Sequence, residues 1–259
     1  MEGRPAEGGR ACIVEHSEHG VKDVLPVEYS ARTGIYEYGG AAFTVSSAGE
    51  LIFADWKTKG VFSLAPETGE THRLTDSDTT VNYADFNVHP TSNQWVLAIR
   101  EDHNTPGVEH TIVAINVAKK TTHPVVHGAD FYSHPQFSPD GQKLCWMQWN
   151  HPDMPWTGTE LYVADWQDGK VGEATLVAGK AGVESISQPR WGPDGTLFFV
   201  SDRTGYWQLY RYRTGGSQAQ AIKLKGLEEA EFAGPEWWLG RCGRFPGPSM
   251  IGADCYWEL

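Results

Sequence analysis

FSPDGQKLCWMQW at residues 137–149 and RWGPDGTLFFVSD at residues 190–202 say the same thing twice. Each sets an aromatic residue before a Pro-Asp-Gly turn and an apolar, aromatic run after it. Proline fixes φ at the second turn position and glycine accepts the positive φ that follows, so each stretch reads as two short strands joined by a tight turn. Working outward, the unit recurs with looser turns as GGAAFTVSSAGE at 39–50 and YADFNVHPTSNQ at 83–94. The aromatic anchors Phe43, Phe86, Phe137, Trp191 and Trp237 return about every fifty residues, a period that marks a repeat architecture.

Each unit continues in the same order. The second strands are LIFADW, WVLAIRE, KLCWMQW and TLFFVSD; the third are GVFSLAP, TIVAINV, ELYVADW and WQLYRYR; the fourth are ETHRLT, KTTHPVV, EATLVAG and AIKLKG. Four strands per unit, rich in β-branched and aromatic residues, describe the blades of an all-β propeller whose innermost strands line a central channel. No capped amphipathic helix of ten residues separates them; a short helix near LEEAEF at 227–232 would carry no weight.

The reading assigns residues 1–39 to a partial blade and crossover, 40–240 to propeller blades with four complete, and 241–259 to a divergent tail. ACIVEH and VKDVLPVEY resemble third and fourth strands without a first and second, while GPEWWLG at 234–240 resembles a first strand and DCYWEL at 254–259 a second. Two outcomes stay open. The tail pairs with the N-terminal strands and closes five blades without an open edge, or both ends are truncated relative to a larger propeller.

The chain of 259 residues is 40% hydrophobic and 12% aromatic, enough to bury a sizeable core. Its net charge of -12 disfavours nucleic acid and anionic membranes, which are bound through clustered Lys and Arg. Cys12, Cys145, Cys242 and Cys255 are scattered and suggest reduced structural thiols. The N-terminus lacks the apolar stretch of a secretory signal and no run is long enough to span a membrane, so a cytoplasmic location is the expectation.

RTGIYEYGG followed by FTV, the stretch FSPDGQKLCWMQWNHPDMPWTGTELYVADW, and PRWGPDGTLFFVSDRTGYWQLYR resemble the propeller of the prolyl oligopeptidase family, in its acylaminoacyl-peptidase and dipeptidyl aminopeptidase branch. The resemblance covers roughly residues 10–240. It implies a propeller that caps an α/β-hydrolase domain and filters access to it, with the catalytic serine, aspartate and histidine in that second domain, which these residues do not reach. The elbow motif G-x-S-x-G finds only GGSQA around Ser217 and GPSMIG around Ser249, both in turns, so a serine peptidase mechanism is not expected from this chain alone. The family usually has a histidine where Tyr36 stands.

Candidate site residues come from the loops after each second strand, which meet at one end of a propeller, and from the RTGIYEYGG crossover. His151, His103, Glu37 and Asp102 are the candidates for acid–base chemistry near neutral pH. Arg32, Tyr36, Asp153, Trp156, Arg190, Asp202 and Arg203 are the candidates for ligand contact, with Arg32 able to hold a carboxylate in a bidentate pair. Plainer readings stand beside each: capped turn amides, a structural Arg32–Glu37 ion pair, and aromatic residues packed between blades. No ligand spacing points to a metal, and no cofactor is expected.

Three functions are expected in competition. The first is a peptidase-type propeller binding a peptide-like or small hydrophobic ligand, with a hydrolase-domain partner or self-association. The second is a non-hydrolytic cyclase or isomerase, and the third a fragment without a function of its own.

Overall fold

A computed structural model describes residues 1–104 and 106–240. Four antiparallel four-stranded blades follow one another. Blade 1 comprises β5 (Phe43–Val45), β6 (Leu51–Ala54), β7 (Val61–Leu64) and β8 (Thr71–Arg73). Blade 2 comprises β9 (Val81–Val88), β10 (Trp95–Asp102), β11 (Glu109–Asn116) and β12 (Thr121–Val126). Blade 3 has β13 (Phe131–Phe137), β14 (Lys143–Trp149), β15 (Glu160–Gln167) and the outer β17 (Thr175–Gly179), with the two-residue β16 (Lys170–Val171) beside β15. Blade 4 has β18 (Ile186–Trp191), β19 (Thr196–Ser201), β20 (Gln208–Arg213) and β21 (Gln220–Ala221). The fold is the all-β propeller that the repeat implies.

Each central strand is apolar on both faces because both faces are covered. Along β10, Val96 and Ala98 pack against Ile52, Val61 and Leu74 of blade 1. Leu97 and Ile99 point the other way, against Phe137, Leu144 and Trp166 of blade 3. The period of two thus feeds two interfaces at once. Cys145, Met147 and Leu161 meet Phe199 and Tyr210 in the same way at the junction of blades 3 and 4. The anchors Phe86 and Phe137, set just before the turns, are buried in these seams.

Around the axis a second repeat appears. Ala41, Asp85, His134 and Gln188 each adopt a left-handed backbone, with φ of 46, 56, 54 and 52°. In blades 2 to 4 the pairing of first and second strands shifts register at this point. Such bulges bend the inner strand and let neighbouring blades bond to each other: Asp85 N–H donates to Ala41 O at 2.9 Å, and His134 N–H to Asp85 Oδ2 at 2.6 Å.

The ends depart from the expectation. β1 (Glu2–Arg4) pairs with β2 (Arg10–Cys12), and β3 (Val14–Ser17) with β4 (Gly20–Asp23), so the N-terminus is two short hairpins rather than the outer half of one sheet. Cys12, Ile13 and Leu25 cover Phe53, Phe62 and Leu64 of blade 1. The GPEWWLG segment forms no strand: its one ladder contact is a parallel bridge between Leu239 and Gly40. Pro235 removes a donor, and the segment runs inward across the axis rather than along a blade edge. The LEEAEF stretch is turns and bends, and AIKLKG keeps only its beginning as strand β21. The expected pairing of DCYWEL lies outside the described residues. Among the described residues no helix is long and apolar enough to cross a membrane.

Candidate functional site

At the end of the propeller where second strands finish and third strands begin, an open cavity of about 840 Å³ lies between blades 1, 2 and 3 and the inward-running segment 236–239. Its polar wall is built by strand register. Asn82, Glu101 and His110 are direct partners across β9, β10 and β11. His103, the first residue past β10, still points to the side of Glu101 because the two are two residues apart. The Glu101 carboxylate accepts from Tyr36 N–H at 2.7 Å, Asn82 Nδ2 at 2.8 Å, His103 Nε2 at 2.8 Å and His110 Nε2 at 3.2 Å. Burial alone would raise its pKa; the bonds from His110, the Tyr36 amide, His103 and Asn82 outweigh it and hold it at about 2. His110 Nδ1 faces Asp130 O at 2.6 Å, so both its nitrogens meet acceptors.

The second wall is aromatic. Phe131 stacks on Trp149 with centroids 5.5 Å apart, and Tyr36 stands edge-on to Phe131 at 5.4 Å. Trp156 leans on Trp237 at 4.4 Å across the mouth. The Tyr36 hydroxyl donates to Tyr132 O at 2.9 Å and accepts from Tyr132 N–H at 3.0 Å, fixing the crossover to blade 3, and burial raises its pKa well above the ordinary phenol. Tyr36→Phe is therefore expected to cost about 1–2 kcal/mol, because a buried backbone pair loses its partner; equal denaturant midpoints for variant and parent would count against this role.

The floor descends to the axis. Glu236 bonds Ser187 Oγ at 2.6 Å and lies 3.8 Å from His134 Nδ1, beyond hydrogen-bond reach. Burial pushes the Glu236 carboxyl up to about 7 and the His134 imidazole down to about 3.

No protein-family model and no curated protein sequence matches the chain. Solved structures do. A puromycin-hydrolyzing peptidase of Mycobacterium tuberculosis is 32% identical with a TM-score of 0.82, over 92% of this chain and 38% of its own. A puromycin hydrolase is 29% identical with a TM-score of 0.80, over 92% of this chain and 39% of its own. The chain is a propeller of the prolyl oligopeptidase type. A prolyl endopeptidase shares the fold of this propeller at 18% identity and a TM-score of 0.54, over 70% of this chain and 27% of its own. The chain spans less than two fifths of the two puromycin-hydrolysing enzymes it matches.

The peptidase-type propeller gathers five of the eleven residues singled out in the sequence: Tyr36, Glu37, His103, His151 and Trp156 line the cavity. His151 donates its backbone N–H to Asp130 Oδ2 at 2.8 Å and sets its ring edge-on to Phe131. The other six lie elsewhere. Asp102 points to the opposite strand face from Glu101, where it accepts from Arg100 at 2.6 Å and caps Asn104. Arg32 stacks on Trp56 at 4.4 Å instead of pairing with Glu37. Asp153 accepts from Thr157 Oγ1 in its own loop and from Gly182 N–H in the connection between blades 3 and 4. Asp202 caps Ser185 N–H at 2.7 Å, and Arg203 pairs with Glu184 at 2.7 Å. Arg190 sits near the axis, donating to Pro189 O at 2.8 Å. The cavity lies to one side of the axis, so the blade 4 loop does not reach it.

Glu101, Lys59, His110, Phe131, Trp149 and Glu236 also line the cavity and are not among those eleven, although Glu101 belongs to a second-strand loop and Trp149 to the aromatic patch that the sequence marks. Glu101 was legible in principle: alternation along WVLAIRED puts it, not Asp102, on the face of His103. Of the serines in elbow-like contexts, Ser217 occupies the exposed β20–β21 turn, and Ser249 lies outside the described residues.

Proposed function

We propose that this propeller binds a peptide-like ligand with an aromatic side chain in the cavity at its channel mouth, and so selects ligands for a peptidase centre. One observation carries the reading: a roomy cavity joins a stacked aromatic wall to a fully bonded carboxylate–imidazole wall, an apolar platform with a few fixed polar groups as small-molecule sites have. The similarity to puromycin-hydrolysing enzymes supports this ligand chemistry, since puromycin is an aromatic aminoacyl compound.

The test is calorimetric titration of the chain with puromycin, repeated on Trp156→Ala. Saturable binding in the parent, weakened about tenfold in the variant, is the expected result, since a stacked aromatic contact contributes roughly 1–1.5 kcal/mol. Absence of heat at millimolar puromycin would sink the reading.

A non-hydrolytic enzyme is favoured by one feature, the half-exposed His103 imidazole held 2.8 Å from Glu101, a pair suited to proton transfer. Turnover of a bound ligand that disappears in His103→Ala would select that reading.

A further inference from the structure

Among the described residues Lys59 is the one lysine lining the cavity, and its surroundings are unusual. The acidic groups of the lining are Glu37, Glu101, Asp130 and Glu236, the last with its pKa pushed up to about 7 by burial. Glu101 has its charge met by four donors. Lys59 has no direct partner: among the described residues its ammonium has no carboxylate or acceptor within ion-pair or hydrogen-bond distance and lies over the face of Trp56 at 3.7 Å, with Asp55 and Glu101 acting on it only at longer range. The Arg32 guanidinium lies over the same ring at 4.4 Å, so two cations share one indole. Partial burial, and after it the charge of Arg32, lower the Lys59 pKa.

The position is also rigid. Asp55 is 1% exposed and organises the loop, accepting from Ser30 N–H at 3.0 Å and from Thr58 N–H and Oγ1 at 2.9 Å. Lys59 N–H closes the turn onto Asp55 O at 2.9 Å with a left-handed φ of 57°. A non-glycine residue in this region of backbone space carries strain that the surroundings must impose. The result is a preplaced cation in a partly dry aromatic cavity, where a charge partner is worth more than at the open surface.

We propose that Lys59 anchors the carboxylate end of the ligand, making it the residue that distinguishes a free peptide acid from a blocked one. This rests on the peptide-like ligand proposed above. Elsewhere in the cavity the carboxylates of Glu37, Glu101 and Asp130 repel an anionic group, and the imidazoles of His103 and His110 are already committed to Glu101. Against Trp56 such a group meets an unpaired ammonium, with Arg32 on the same ring adding to the positive potential.

The experiment titrates the dipeptide Phe-Tyr and its C-terminal amide into the parent chain, Lys59→Met and Lys59→Arg, with puromycin run on the parent. The expected result is free acid bound about tenfold more tightly than amide by the parent. That preference falls to about onefold in Lys59→Met and partly returns in Lys59→Arg, whose fold is checked by its melt. Equal affinities for acid and amide in the parent, or a preference that survives in Lys59→Met, overturn the anchor while puromycin binding leaves the ligand reading standing. If neither dipeptide nor puromycin binds, the ligand reading falls and the anchor with it.

Discussion

Glu101→Ala lowers the melting temperature by on the order of ten degrees, the largest effect expected of any single side chain in the site. Glu101 is 4% exposed and takes hydrogen bonds from four groups, on two neighbouring strands, the loop after its own strand and the crossover. Removing it strands those donors, and breaking a buried charged network from one side costs about 3–5 kcal/mol. At about 2–4 °C per kcal/mol for a domain of this size, the shift follows. The same group sets a pH dependence. Its pKa is about 2 in the fold against 4.5 unperturbed. Its contribution is therefore complete above pH 4.5 and lost as pH falls from 4.5 toward 2, by about 3 kcal/mol in total. Melts of parent and Glu101→Ala between pH 7 and pH 3 decide it. A variant that melts within two degrees of the parent at pH 7, or that keeps the parent's acid slope, would remove Glu101 from the centre of the site.

Gly40→Ala is expected to detach the inner wall of the cavity. Gly40 has φ of 104°, and a Cβ there would stand 2.2 Å from Leu239 O, against backbone that cannot rotate away. Leu239 packs with Ile35 and Leu97 in the cluster under Tyr36. The substitution therefore either breaks the Gly40–Leu239 bridge or shifts the crossover, at a cost of about 3 kcal/mol or more. Gly49→Ala is the control: φ is 83° and nothing lies within 4 Å of its Cβ, so it reports backbone strain alone, about 1 kcal/mol. Hydrogen exchange at residues 236–239, together with tryptophan emission from the Trp156–Trp237 contact, reads the detachment. Similar exchange in the two variants would show that the close approach holds nothing in place.

The opening pair of Pro-Asp-Gly stretches was a sound guide because its signals are local. Gly141 and Gly195 adopt φ of 71 and 75°, as those turns require. The runs KLCWMQW and TLFFVSD are strands dense in apolar residues because they pack against each other at the junction of blades 3 and 4. The glycine pair of RTGIYEYGG is likewise where it is needed: Gly39 and Gly40 bring backbone within reach of Thr33 and Leu239. What escaped notice was non-local or carried by ordinary residues. The axial bulges fall on Ala41, Asp85, His134 and Gln188, none of them glycine, so no composition cue announces the left-handed backbone.

The sequence by itself determined the repeat, the four-stranded blade, the strand alternation that fills each seam and the family likeness, because all of these depend on contacts within one unit or on a period. Only the tertiary structure decided which loops share a cavity. Asp202 and Arg203 occupy the same repeat position as His103 and His151, yet blade 4 turns them to Ser185 and Glu184. Lys59, Glu101 and Glu236 are 42 and 135 residues apart in sequence and line one cavity. Closing such distances is the work of blade packing around an axis, and a repeat of strands and turns contains no record of the angle at which one blade meets the next.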